Sequence, residues 1–454
     1  MLGLLVLRLR FATGVLLFGL GLQTLSPAVL AADDWPQWMG PTRDGVYRED
    51  GLIRSIPADG LPIKWRVPIA AGYAGPAVQG DRVFVADYLR RSGEVVNDPG
   101  QRAELQGQER VHCLDAKTGE TLWQHAYERP YSISYPNGPR CTPTVDEDRV
   151  YFLGSEGDLL CLQVDDGQVV WQRSFTKDFG APVPIWGFAS HPLVEGDLLI
   201  CMVGGEGQTV VAFDKHTGEV RWKGLDASEV GYCPPVIVEA GGVRQLVVWH
   251  ADALVSLNPA DGQPYWSVDL KPSYGMSVSR PQREGDRLYA SGIHSTSVML
   301  QLKQDEPDVT ELWRGERNHA VYTCNSTPLM DGGVIFGADC HKGSLIAADV
   351  QTGKRLWDTF QFTQPEQRRF VKQGTVFLTR LAGTDRYLLF SETGDLILAT
   401  LTADGYEEHG RFHVVEPTNT AMGRQVVWSH PAYAGRTAFI RNDKEIVAVD
   451  LARR

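Results

Sequence analysis

Short runs in which hydrophobic and polar residues alternate recur along the chain from about residue 60 onward, separated by tight Gly or Asp turns. Pro143-Thr-Val-Asp-Glu-Asp-Arg-Val-Tyr-Phe152 is the clearest: an alternating run, an acidic turn, a second run. A period of two bounded by such turns predicts antiparallel β-strands. Pro76, Pro143, Pro192, Pro235, Pro281, Pro328 and Pro431 each open a short strand of this kind. Proline is tolerated there because no ladder donor is lost.

The strands belong to a repeat. Cys113-Leu-Asp-Ala-Lys-Thr-Gly-Glu-Thr-Leu-Trp123, Ala212-Phe-Asp-Lys-His-Thr-Gly-Glu-Val-Arg-Trp222 and Ala347-Ala-Asp-Val-Gln-Thr-Gly-Lys-Arg-Leu-Trp357 share the pattern small-x-Asp-x-x-Thr-Gly-x-x-x-Trp. Looser copies end at Trp171 and Trp266, a degenerate one at Trp313, and His409 takes the Trp position after Gly405. Trp65 occupies the same place near the N-terminus. Each unit reads as four strands, A to D. Asp-x-x-Thr-Gly makes the C–D turn, with Gly at the φ > 0 position of a bulged hairpin. The Trp lies on outer strand D.

Four-stranded units recurring every ~40–50 residues predict propeller blades. The termini predict a closed ring. The last unit stops at Glu445-Ile-Val-Ala-Val-Asp450, a strand C, while the segment around Trp65 is a strand D with no A, B or C before it. Pairing the two completes one blade and hides both edges. The expected fold is therefore all-β: an eight-bladed propeller of four-stranded antiparallel blades, closed by an N-terminal strand.

Composition fits a packed β protein, with 43% hydrophobic residues, 47 Gly and 12 Trp. The formal charge of −12 excludes nucleic acid as the main partner, because phosphate binding needs a basic field. Arg8 and Arg10 precede an apolar run, Phe11 to Leu22, and small residues end at Ala31. This is a signal-peptide layout, with cleavage near Ala31. Its removal deletes two Arg and no acid, taking the charge to −14. The expected division is a signal peptide over 1–31, an arm over 32–60 and a propeller over 61–454. The mature protein is expected to be periplasmic or extracellular, with no transmembrane segment. Seven Cys with no CxxC and no adjacent pair give no dense disulfide framework. Cys113 and Cys161, at the small position of the repeat, read as buried apolar residues.

The repeat resembles that of the pyrroloquinoline-quinone (PQQ)-like eight-bladed propellers. Trp35-Pro-Gln-Trp-Met-Gly-Pro-Thr-Arg-Asp-Gly45 is similar to the arm before the propeller in exported bacterial members. The resemblance implies either PQQ-dependent alcohol and sugar dehydrogenases or non-enzymatic scaffolds, such as the propeller component of the outer-membrane β-barrel assembly machinery. Those alcohol dehydrogenases cap PQQ with a disulfide between adjacent cysteines and add an Asp base and calcium ligands. No residue here aligns to these roles, so PQQ with calcium has no specific motif in its support.

Function is expected on the face carrying the D→A and B→C connections, which read as long at 88–110, 124–141, 173–190 and 358–374. Strand A lines the channel, so the residues before each strand-opening Pro ring its mouth. Arg280 and Arg140 are candidates for holding carboxylate or phosphate. His191, His430 and Cys233 are candidate metal ligands. Alternatively, these polar groups face channel water. Trp186 and Trp428 could supply a flat platform for a cofactor ring, or serve as loop packing or protein-contact anchors. His250, His294 and His341, the last beside Cys340, fall in B→C turns of successive blades. The arm is expected to dock on the propeller wall through Trp35 and Trp38. The expected function is a binding or interaction scaffold with a protein or small-molecule partner on the loop face. The alternatives are a PQQ- or metal-dependent oxidoreductase and a carbohydrate-active enzyme.

Overall fold

The structure, a computed structural model, describes residues 34–363 and 371–453. The expected signal peptide and its cleavage site lie outside the described residues, as does part of the 358–374 connection. The rest is a propeller of eight antiparallel blades: blade 1 (77–128), blade 2 (144–174), blade 3 (193–224), blade 4 (236–269), blade 5 (282–314), blade 6 (329–359), blade 7 (376–413) and blade 8. Blade 8 joins Ala432–Ala434, Thr437–Arg441 and Glu445–Asp450 to the N-terminal strand Ile63–Pro68. Among the described residues no helix is long and apolar enough to cross a membrane.

Strand A begins one residue after each of the seven prolines. Blade 7, whose register the sequence leaves open, instead starts after Thr375. In the C–D turns, Asp115 Oδ1 accepts from the backbone N–H groups of Lys117 and Thr118, and Asp214 Oδ1 does the same for His216 and Thr217. A bulge follows at Cys113/Leu114, Ala212/Phe213 and Ala347/Ala348. The small residue is the cross-strand partner of the Trp: Cys113 faces Trp123, Cys161 faces Trp171 and Ala212 faces Trp222. A larger side chain there would displace the ring.

Six of the seven repeat tryptophans grip the next blade. Trp65, Trp123, Trp171, Trp222, Trp313 and Trp357 donate their indole N–H to backbone carbonyls in the following C–D turn, at 2.8–3.0 Å. The turn glycine lets the ring approach: a Cβ on Gly167 would stand 2.5 Å from Trp123, and one on Gly218 2.6 Å from Trp171. Trp65 reaches Ala116 of blade 1 and so closes the ring. His409 has no such turn to meet, because the C–D connection of blade 8 is where the two ends of the propeller chain lie.

One expectation is corrected, and the place of the arm becomes specific. The 88–110 stretch is mostly strand, since blade 1 extends its B and C strands to Arg82–Ser92 and Ala103–Asp115 and adds Tyr131–Ile133. The wall that the arm meets is that of the channel, which it enters as a hairpin. Trp35 forms an antiparallel bridge with Val78 of strand A in blade 1, and Pro36 O accepts from Val145 N in blade 2. The chain reverses around Met39, Gly40 and Arg43, all at positive φ (61°, 86° and 55°). It returns as Val46–Tyr47, paired in parallel with strand A of blade 7. The innermost strand edges of blades 1, 2 and 7 thus find backbone partners in the arm.

Candidate functional site

The channel mouth is where the sequence places most candidate residues, and the arm fills it. At the hairpin tip Trp38 stacks on His191, with ring centroids 4.8 Å apart and planes at 18°, and meets His430 edge-on at 5.5 Å. Arg43, 2% exposed, donates to the carbonyls of His191, Pro192 and Pro235. Its Nε donates to Gln37 Oε1 at 2.7 Å. Burial lowers the Arg43 pKa to about 9, and nearby Arg280 acts in the same direction.

The three candidate metal ligands do not converge. His191 Nδ1 accepts from Thr142 N at 2.9 Å, and burial holds its imidazole well below the usual range. His430 packs against Phe377 at 4.0 Å, and burial lowers its pKa to about 3. Cys233 is fully buried, and its thiol donates to the Ser279 carbonyl of the next blade at 3.4 Å. Burial pushes that thiol up to about 12. Ser190 Oγ bonds the Cys233 carbonyl and Ser429 Oγ the Ala74 carbonyl, so Cys233 belongs to a belt of inter-blade hydrogen bonds. Among the described residues no three His, Cys, Asp or Glu side chains group as a metal site. All seven cysteines are free and buried.

Above Trp38 lies a cavity of about 1320 Å³ on the D→A and B→C face. Arg140, Trp186, Trp428, His191 and His430 border it; Arg280 and Cys233 do not. Arg280 is 8% exposed, its pKa lowered by burial to about 10 despite the attraction of Asp44. Arg140 is committed to its own loop. Its guanidinium donates to the carbonyls of Ser134, Tyr135 and Gly138 and lies 5.2 Å over the Tyr73 ring. It shapes the wall rather than offering free donors. Trp186 and Trp428 are each tied by their indole N–H, to Pro99 O and to Glu392 Oε2, at 3.1 Å. Each keeps a tyrosine neighbour: Tyr232 at 5.5 Å from Trp186, and Tyr135 at 6.3 Å from Trp428. Glu206, Asp226 and Glu229 line the side of blades 3 and 4, while Lys372 lies at the entry to blade 7.

Trp38 is the residue that sequence reasoning placed on the propeller wall without assigning it to the channel mouth. A signal was present: a segment rich in Trp, Pro and Gly needs cover, and the open edges of eight A strands can supply it. Its indole N–H and the Tyr135 hydroxyl border the cavity, buried and without protein partners. Such orphan groups are uncommon in folded proteins.

The family model described as outer membrane protein assembly factor BamB matches residues 107–359. Outer membrane protein assembly factor BamB of Burkholderia pseudomallei is 24% identical over 270 residues, 54% of this chain and 60% of that protein. Quinoprotein ethanol dehydrogenase of Pseudomonas putida is 25% identical over 328 residues, 68% of this chain and 44% of that protein. The chain therefore spans less than two thirds of the length of either relative. Among solved structures, BamB from Moraxella catarrhalis superposes with a TM-score of 0.55 at 13% identity, covering 87% of this chain and 98% of that one. A europium-containing methanol dehydrogenase gives 0.59 at 11% identity, covering 92% and 89%. At these identities the superpositions speak for the fold alone. With the family model spanning more than half of a chain built of eight such blades, the protein belongs to the family described as outer membrane protein assembly factor BamB, a group of PQQ-like propellers.

Proposed function

We propose that the mature protein is an exported binding scaffold whose loop-face cavity takes a segment of a protein partner. The observation that carries this reading is the arm in the channel, with Trp38 between His191 and His430 as the cavity floor. The floor leaves a broad bowl rimmed by Tyr135, Trp186, Tyr232 and Trp428. Partly buried aromatic residues of this kind anchor protein contacts at low cost in side-chain entropy. The relatives named as assembly factors favour the same reading. The signal-peptide pattern over residues 1–31 supports export.

The relatives named as quinoprotein dehydrogenases raise PQQ with calcium as the alternative. The residues present do not fit that group. No acidic cluster gathers a cation among the described residues, and no two cysteines are adjacent in the sequence or paired in the structure. The guanidinium of Arg140, which borders the cavity, is spent on backbone carbonyls.

The test is photo-crosslinking from position 186 in cells exporting the full chain, with the captured protein identified by mass. We expect a defined adduct that weakens when Tyr232 and Trp428 are replaced by Ala. Alongside it, the purified protein is titrated with PQQ and calcium, followed by tryptophan fluorescence and dye-linked alcohol oxidation. Saturable quenching with turnover would overturn the scaffold reading.

A further inference from the structure

A second pocket, about 570 Å³, lies between blades 5 and 6 on the loop face and shares Ile293, His294, Lys372 and Gln373 with the large cavity. Four cationic side chains border it, Arg317, Lys342, Arg355 and Lys372, against one carboxylate, Asp339. That carboxylate is fully buried and already engaged. Its Oδ1 accepts from Arg355 Nη2 at 2.9 Å and its Oδ2 from Lys342 N at 3.1 Å. Arg317, Lys342 and Lys372 form no ion pair among the described residues, and all three are exposed. In a chain of net charge −12, this local excess of three positive charges stands apart from its surroundings.

The walls add ring faces to the charge. His294 and His341 lie near-parallel with centroids 6.1 Å apart, Tyr274 meets His294 edge-on at 5.8 Å, and Tyr322 meets His341 edge-on at 5.9 Å. Burial lowers the His341 pKa, and the charges of Arg355 and Arg317 act in the same sense against Asp339, so its ring is neutral near pH 7. The turn carrying His294 holds two consecutive non-glycine residues at positive φ, His294 at 53° and Ser295 at 64°. Conformations of this kind concentrate where a loop is held for binding. The pocket is also far larger than a bare oxyanion fills.

We propose that this pocket is a binding site for a small organic phosphate. Arg317, Lys342 and Lys372 receive the phosphoryl oxygens, and the His294 and His341 ring faces receive the planar body. Guanidinium and ammonium groups suit a doubly charged oxyanion through charge-assisted hydrogen bonds. Asp339 pins Arg355 and the 340–342 turn in place, a positioning role. The site is separate from the cavity floor and does not depend on the protein-partner reading.

Calorimetric titration of residues 32–454 tests it with phenyl phosphate, inorganic phosphate and phenol as probes. Saturable one-to-one binding of phenyl phosphate is expected, weaker at high salt, with inorganic phosphate weaker and phenol silent. Arg317→Gln combined with Lys342→Gln should weaken phenyl phosphate by about tenfold or more. Lys117→Gln, which removes one positive charge on the opposite face, should leave it unchanged. Melting curves of each variant verify that the fold is intact; both altered positions are exposed. The proposal is overturned by absence of saturable binding, by equal losses in the double variant and Lys117→Gln, or by a double variant that binds as the parent does. Inorganic phosphate binding as tightly as phenyl phosphate would also overturn it, since the ring faces would then contribute nothing.

Discussion

The indole N–H of Trp266 donates to Gln245 Oε1 of its own blade at 2.8 Å, whereas six other repeat tryptophans donate across to the next blade. The cause lies in blade 5. Its C–D connection, Lys303-Gln-Asp-Glu-Pro-Asp308, has no glycine and cannot present a carbonyl under a close-packed ring. That connection packs instead on blade 4, where a Cβ on Gly241 would stand 2.2 Å from Glu306 O. Gln245, fully buried, takes up the indole and also accepts from Ser256 Oγ at 2.7 Å.

The repeat tryptophans should therefore differ in mutational cost. Trp171→Phe removes a bond to a carbonyl 3.0 Å away in the next blade, and the loss should be ~1–2 kcal/mol. Trp266→Phe leaves Gln245 its bond to Ser256 and should cost less. Gly218→Ala places a Cβ 2.6 Å from the Trp171 ring at φ +70°, and should cost more than either. Urea unfolding of the three variants ranks them.

The channel hairpin predicts a strong dependence on Arg43. Arg43→Ala leaves three buried carbonyls without their donor, at ~1–3 kcal/mol for each group left unsatisfied. Deleting residues 32–60 should lower the melting temperature and expose the inner strand edges. An unchanged melting temperature after that deletion would refute the plug.

Acid should weaken the fold through the channel histidines. His191 and His430 are held neutral in the folded state, His430 with a pKa of about 3 against an ordinary 6.5. Their contribution is complete above pH 6.5 and is lost as pH falls from 6.5 toward 3, because the unfolded chain binds the proton more readily. Each can contribute a slope of up to ~1.4 kcal/mol per pH unit. His191→Gln and His430→Gln should flatten the stability–pH curve in that window, measured by denaturant unfolding.

The cysteines should be silent until the protein unfolds. All seven are buried and unpaired. A thiol reagent should react with almost none in the native protein and with seven in denaturant, and a reductant should leave the melting temperature unchanged.

The architecture was legible because it is local and repeated. Strand-opening prolines, the Asp-x-x-Thr-Gly turn and the Trp that follows are set within one blade, and a unit repeated around a ring reads the same each time. The closing strand at Trp65 was legible for the same reason, being a D strand without companions. The candidate site was less so. Trp186, Trp428 and Arg140 border one cavity, but the hydrogen-bond partners of the two tryptophans come from loops distant in sequence, at Pro99 and Glu392.

The sequence by itself determined the blade, the count of blades and the way the ring closes, because period-two patterning and turn chemistry act over a few residues. Only the tertiary structure decided what occupies the channel. Trp38 meets His191 and His430 from positions more than 150 and 390 residues away in sequence, and nothing near Trp38 encodes them. The convergence of His294 with His341, and of Arg317 with Lys342, arises in the same way, from adjacent blades fanned about one axis.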